Sequence, residues 1–153
     1  MVLLSSSPLS SGGFVALPEV AAEIAVITDI ASKANVTPNA LSATQHATSD
    51  ITDALTQASI VHIACHGSQD AGNPLESAFH LSGDRKITVS DLMELHLQDA
   101  HLAFLSACHT AKGDSKQPDQ SIHLAAAMLF VGFKSVIGTM WCARCPHTST
   151  SKY

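Results

Sequence analysis

Two stretches of this chain are apolar on both faces, and each ends on a reactive side chain. Ile60-Val61-His62-Ile63-Ala64-Cys65 leads into His66-Gly67, and His101-Leu102-Ala103-Phe104-Leu105-Ser106-Ala107 leads into Cys108. Runs of β-branched and aliphatic residues without a polar alternation predict strands buried on both sides, as in parallel sheets. Ser135-Val136-Ile137-Gly138-Thr139-Met140 predicts a third strand. The intervening segments carry helical periodicity. Val20, Ile24, Ile27 and Ala31 recur at steps of three and four, predicting a helix that opens near Pro18 and is broken by residues 35–39 with Pro38. Residues 48–55 read as a short helix with Thr48, Ser49 and Asp50 as candidate caps. Thr88 followed by Asp91 resembles a capping box ahead of Leu92 and Leu95, and an alanine-rich helix over 121–130 ends near Gly132. Gly72-Asn73-Pro74 and Gly83-Asp84 mark residues 68–85 as turns. Alternating helices and strands require crossovers, so neighbouring strands should be parallel and the chain an α/β domain.

Size and charge narrow the function classes. At 153 residues the chain holds one ordinary core, and no linker or internal repeat divides it. Hydrophobic residues make up 46% and charged residues 14%, the balance of a packed domain and not of a disordered one. The formal net charge is −5 and Lys and Arg are not clustered, so neither nucleic acid nor an anionic membrane surface is an expected partner. No apolar run reaches the roughly 18 residues of a membrane span. Residues 1–13 lack a secretory signal pattern and, rich in Ser and Gly, are expected to be a loose tail. Cys65, Cys108, Cys142 and Cys145 are not spaced as a disulfide framework, and reduced thiols in the cytoplasm are expected. Residues 142–153 keep no periodicity and are expected to be disordered, which leaves 14–141 as the domain.

In open parallel sheets, ligands and catalysis gather beyond the carboxyl ends of the strands. If the strands ending at His66 and Cys108 are neighbours, imidazole and thiol share one rim. An imidazole in reach takes the thiol proton or holds the thiolate, which is the chemistry of acyl transfer by a cysteine. Gly67 leaves room for a substrate carbonyl, and its backbone N–H with that of Cys108 would form an oxyanion hole.

Val61-His62-Ile63-Ala64-Cys65-His66-Gly67 and Leu105-Ser106-Ala107-Cys108-His109-Thr110-Ala111 resemble the two signature blocks of the CHAT domain, a caspase-like cysteine peptidase family related to separases. Leu17-Pro18 with Glu23, Pro74-Leu75-Glu76-Ser77-Ala78-Phe79, Thr88-Val89-Ser90-Asp91-Leu92, and the stretches Ala125-Ala126-Ala127-Met128 and Gly138-Thr139-Met140-Trp141 extend the resemblance across about residues 14–141. It implies a caspase-like three-layer α-β-α sandwich with a mainly parallel sheet, here expected to be incomplete at both ends. It also implies His66 as general base and Cys108 as nucleophile, hydrolysing peptide bonds with no metal or cofactor. Protein or peptide is the implied substrate, and tetratricopeptide-repeat regions are the implied neighbours.

Other readings stand beside this one. A caspase-fold module that has lost turnover and acts in interaction or regulation is the main alternative. A zinc site from His62, Cys65, His66 and Cys108 has suitable ligand types, but successive strand residues face opposite ways. Cys142 and Cys145 form a single Cys-x-x-Cys pair without a second half-site. Asp70 and Glu76, in the loop after His66, are candidates for a pocket that takes a basic side chain. His62 and Cys65 are read as packing within their strand, and His80, His101, His109 and His123 as lying on solvated or half-buried faces.

Overall fold

The computed structural model describes residues 1–6, 17, 19–68, 70, 72–106 and 122–138. Its centre is a five-stranded sheet of β1 (Val2–Ser5), β2 (Asn39–Ser42), β3 (Ile60–Ala64), β7 (Leu102–Leu105) and β8 (Ser135–Gly138), in the order β2-β1-β3-β7-β8. All four pairings are parallel. Among the described residues four α-helices connect the elements: α1 (Glu19–Lys33), α2 (Thr48–Thr56), α3 (Val89–Met93) and α4 (Ile122–Val131). A second, antiparallel sheet of β4 (His66–Ser68), β5 (Ala78–His80) and β6 (Lys86–Thr88) lies between β3 and α3 in the chain.

The side-chain period of two divides the main sheet between two layers. Val2, Leu4, Leu41, Val61, Ile63, Ala103 and Leu105 join Ile51 and Leu55 of α2, Leu92 of α3, and Leu124, Ala127 and Met128 of α4 in one buried core. The opposite face carries the register row Leu3, His62, Phe104 and Ile137. There α1 lies against the sheet, with Val20 and Ala31 buried. The result is the three-layer α-β-α arrangement expected.

Local chemistry sets the helix ends. Asn35 takes φ 56°, and Val36 N–H donates to the Ala31 carbonyl while Asn35 N–H donates to that of Ser32, which closes α1 in a Schellman motif. Gly132, at φ 124°, closes α4 the same way, with Phe133 N–H on Met128 and Gly132 N–H on Leu129. The Thr88 capping box forms as predicted: Asp91 N–H donates to Thr88 Oγ1, and Thr88 N–H to Asp91 Oδ2 at 2.8 Å. At α2, Asp50 serves the cap, accepting from Ala47 N–H at 3.2 Å.

Two expectations need correction. The amino terminus is not a loose tail over its first residues: β1 lies between β2 and β3, and Leu3 and Leu4 are 0% and 1% exposed. Four residues carry too little pattern to announce a strand, yet pairing on both sides satisfies their backbone and buries their side chains. Residues 68–85 are not all turns, because β4 ends at Ser68 and β5 lies within them. The Arg85 guanidinium ties the β5–β6 hairpin to the turn after β2 by donating to the carbonyls of Ala43 and His46. Residues 142–153 lie outside the described residues.

Leu4→Ala should cost about 2–5 kcal/mol in denaturant unfolding, as expected for a buried leucine. Ile30→Ala, on the outer side of α1 at 60% exposure, should stay within about 0.5 kcal/mol. Equal effects would mean that β1 is not part of the core.

Candidate functional site

β3 and β7 are adjacent, with Ile60 opposite Leu102 and Ile63 opposite Leu105. Both chains therefore leave the sheet at the same rim. Ser106 continues the pairing one step further, its N–H donating to the Ile63 carbonyl at 3.0 Å. His66 follows β3 after one residue, Cys65, and opens β4. Its side chain is almost wholly withdrawn from solvent, at 3% exposure for the residue. Gly67, also buried, lies opposite Phe79 in the small sheet. Cys108, the other half of the predicted pair, lies outside the described residues, as do His109, Cys142 and Cys145.

The small sheet surrounds His66 with a second titratable ring. His66 and His80 are directly opposed on β4 and β5, so their side chains leave the same face. His80 Nε2 lies 2.7 Å from Ser68 Oγ, and Lys86 is opposite His80 on β6. Burial, then the His66 and Lys86 charges, hold the His80 imidazole below the ordinary histidine range. The sequence places His80 only on a solvated or half-buried face; a cross-strand partner cannot be seen without the register. Asp70 and Glu76 have local partners. The Asp70 carboxylate accepts from Gly72 and Asn73 N–H, both at 2.9 Å, and Glu76 pairs with Lys86 at 3.1 Å. His101 is exposed and sits 2.8 Å from Asp99.

A polar cluster lies under α1. Glu23 Oε1 is 3.1 Å from His62 Nε2 and also accepts a hydrogen bond from Ser106 Oγ. The His62 ring stacks on Phe104 with centroids 5.0 Å apart and an 18° tilt. His62 is thus more than strand packing. Burial, the largest effect, lowers its basicity against the opposing pull of Glu23. The signal in the sequence was a carboxylate at position 23, within the inward stripe of Val20, Ile24 and Ile27. Beside the cluster runs a groove of about 680 Å³ between α1 and the sheet, walled by Val26, Ile27, Ile60, Leu102 and Phe104.

Two of the residues weighed for a zinc site lie apart: His62 faces α1, whereas Cys65 belongs to the core on the opposite side, and Cys108 lies outside the described residues. Among the described residues no group of three or more His, Cys, Asp or Glu is placed to hold a metal ion. Among them, too, no helix is long and apolar enough to cross a membrane.

The two lowered histidines have a consequence for stability. Their folded-state affinities for protons lie below that of an unfolded histidine, near 6.5. The stabilisation they reflect is complete above that value and is lost as pH falls through the folded-state values, because unfolding then takes up protons. Tm should therefore drop between about pH 7.5 and about pH 5, and less steeply in His62→Gln. A parallel fall in both proteins would overturn the assignment to His62.

The comparison with known families agrees with this architecture. The family model of the CHAT domain matches residues 3–148. A search of curated proteins finds no match. The matched span begins inside β1 and includes both strands that converge on the rim, with His66 at one exit. With a parallel sheet between helical layers and nearly the whole length matched, the chain belongs to the CHAT domain family, whose fold is caspase-like and which is related to cysteine peptidases.

Proposed function

We propose that this chain is a cysteine peptidase domain that hydrolyses peptide bonds through Cys108 and His66. The observation that carries the reading is the direct pairing of β3 with β7, since His66 follows one strand by two residues and Cys108 the other by three. His66 accepts the thiol proton as the sulfur attacks the scissile carbonyl. The tetrahedral oxyanion is held by the backbone N–H groups of Gly67 and Cys108. Collapse breaks the C–N bond, and the His66 imidazolium returns its proton to the departing amine. Water, deprotonated by the same imidazole, then cleaves the thioester and restores the thiol. Every group in this cycle is a protein group or water. The substrate class is protein or peptide, the setting cytoplasmic, and tetratricopeptide-repeat regions are the neighbours the family suggests.

A second reading has one observation in its favour. His66 is almost completely buried, and a base so enclosed also suits a fold that has given up turnover for interaction.

Alkylation separates the two. With an iodoacetamide-type reagent, Cys108 should react faster than Cys142 and Cys145, with Cys65 slow because it is buried. His66→Ala should slow the Cys108 reaction by about 100-fold, the scale of a lost general base. Equal rates at the three thiols, unaltered by His66→Ala, would exclude the peptidase and leave the interaction module.

A further inference from the structure

We propose that Glu23 is a positioning residue for the nucleophile strand: reaching down from α1, its carboxylate joins Ser106 at the exit of β7 to His62 in β3, and so fixes the direction in which the chain leaves the sheet toward Cys108. The catalytic consequence rests on the peptidase reading above; the tie itself does not.

The three residues come from three separate parts of the chain and meet at one oxygen, Glu23 Oε1. Ser106 is thereby held from two directions. Its N–H is bound to the Ile63 carbonyl in the sheet, and its hydroxyl donates to Glu23 above the sheet. Only Ala107 separates it from Cys108. His62 completes the set by proximity: its ring is stacked on Phe104, its side chain is 5% exposed, and its Nε2 lies 3.1 Å from the carboxylate.

Docking of the helix does not by itself call for such a cluster. An aliphatic residue at position 23 would extend the Val20 and Ile27 stripe without removing a charge from water, and a polar trio in an apolar contact is hard to justify by stability alone. What it supplies is a directional bond. α1 needs one, because Val20 and Ala31 are its only buried apolar residues and a groove opens along its middle beside Val26 and Ile27. With only two apolar residues fully buried the helix could slide by small amounts, whereas the hydrogen bond from Ser106 and the close approach of His62 hold it in register. The Ser106 bond, seen from β7, holds a residue two positions before Cys108. A displacement of about 1 Å near a reacting centre costs on the order of 100-fold in rate, so a bond at this position has catalytic weight without touching the substrate.

Three variants test the proposal: Glu23→Ala, Glu23→Gln and Ser106→Ala. The last is the mildest, since it leaves Glu23 beside His62. Amide hydrogen exchange at Ser106 reads the tie directly and requires no peptidase activity. It should speed up by about 10-fold or more in Glu23→Ala and Ser106→Ala while exchange in β1 changes little. Peptide hydrolysis should lose kcat by about 10- to 100-fold with KM nearly constant. Glu23→Gln, whose amide oxygen still accepts from Ser106, should recover most of both. Unchanged exchange at Ser106 in Glu23→Ala and Ser106→Ala would overturn the proposal, as would a loss of kcat that merely tracks loss of folded protein. Should wild-type Cys108 alkylate no faster than the other thiols, the peptidase reading falls, and exchange at Ser106 still decides whether Glu23 holds the strand.

Discussion

Parallel pairing of β3 with β7 is the constraint from which the remaining organisation follows. Their ladder brings together residues about 40 positions apart and makes two strand ends share one rim. A parallel pair cannot be closed by a tight turn, so the chain must leave and return by a long crossover. Here that crossover carries the whole small sheet and α3. The detour places β4, with His66 at its start, directly after the first strand of the pair, and lets β5 bring His80 against it. Had β3 and β7 been separated by another strand, His66 and the route to Cys108 would diverge by a further interstrand spacing of about 4.8 Å.

The two faces of the main sheet are built on different principles. The face under α2, α3 and α4 is a continuous apolar core in which side chains from all three helices interlock with alternate strand residues. The face under α1 is thinner. Its central row contains His62 and Phe104, and Ile137 at its edge is half exposed. A buried imidazole and a partly exposed carboxylate replace part of the hydrophobic contact there. Burial opposes charge on His62 while Glu23 favours it, and the balance leaves the ring below its ordinary basicity. Rigidity comes from the first face, directional bonding from the second.

Much of the architecture could be read from periodicity. Val20, Ile24, Ile27 and Ala31 at steps of three and four announced α1, Thr88 with Asp91 announced the start of α3, and the uninterrupted apolar runs announced β3, β7 and β8. Local signals suffice in these places because capping and amphipathicity act over one or two turns. β1, β2, β4, β5 and β6 escaped notice: each is three or four residues long and, unlike β7 and β8, is not part of a longer apolar run. β1 and β2 are stabilised by neighbours distant in sequence, which no local pattern records.

By itself the sequence determined the order of the strands and helices and the class of layered fold, and it offered His66 and Cys108 as candidates, since strand-forming runs and the residues that follow them are statements about local chemistry. Tertiary structure alone decided that β3 and β7 are neighbours, that Val2–Ser5 belongs at the heart of the sheet, and that Glu23, His62 and Ser106 meet at one oxygen. The physical reason is the range of the forces involved. Helix caps and hydrophobic periodicity act between residues a few positions apart, whereas sheet register and buried polar contacts join residues as far apart as 23 and 106 and exist only once the whole core has closed around them.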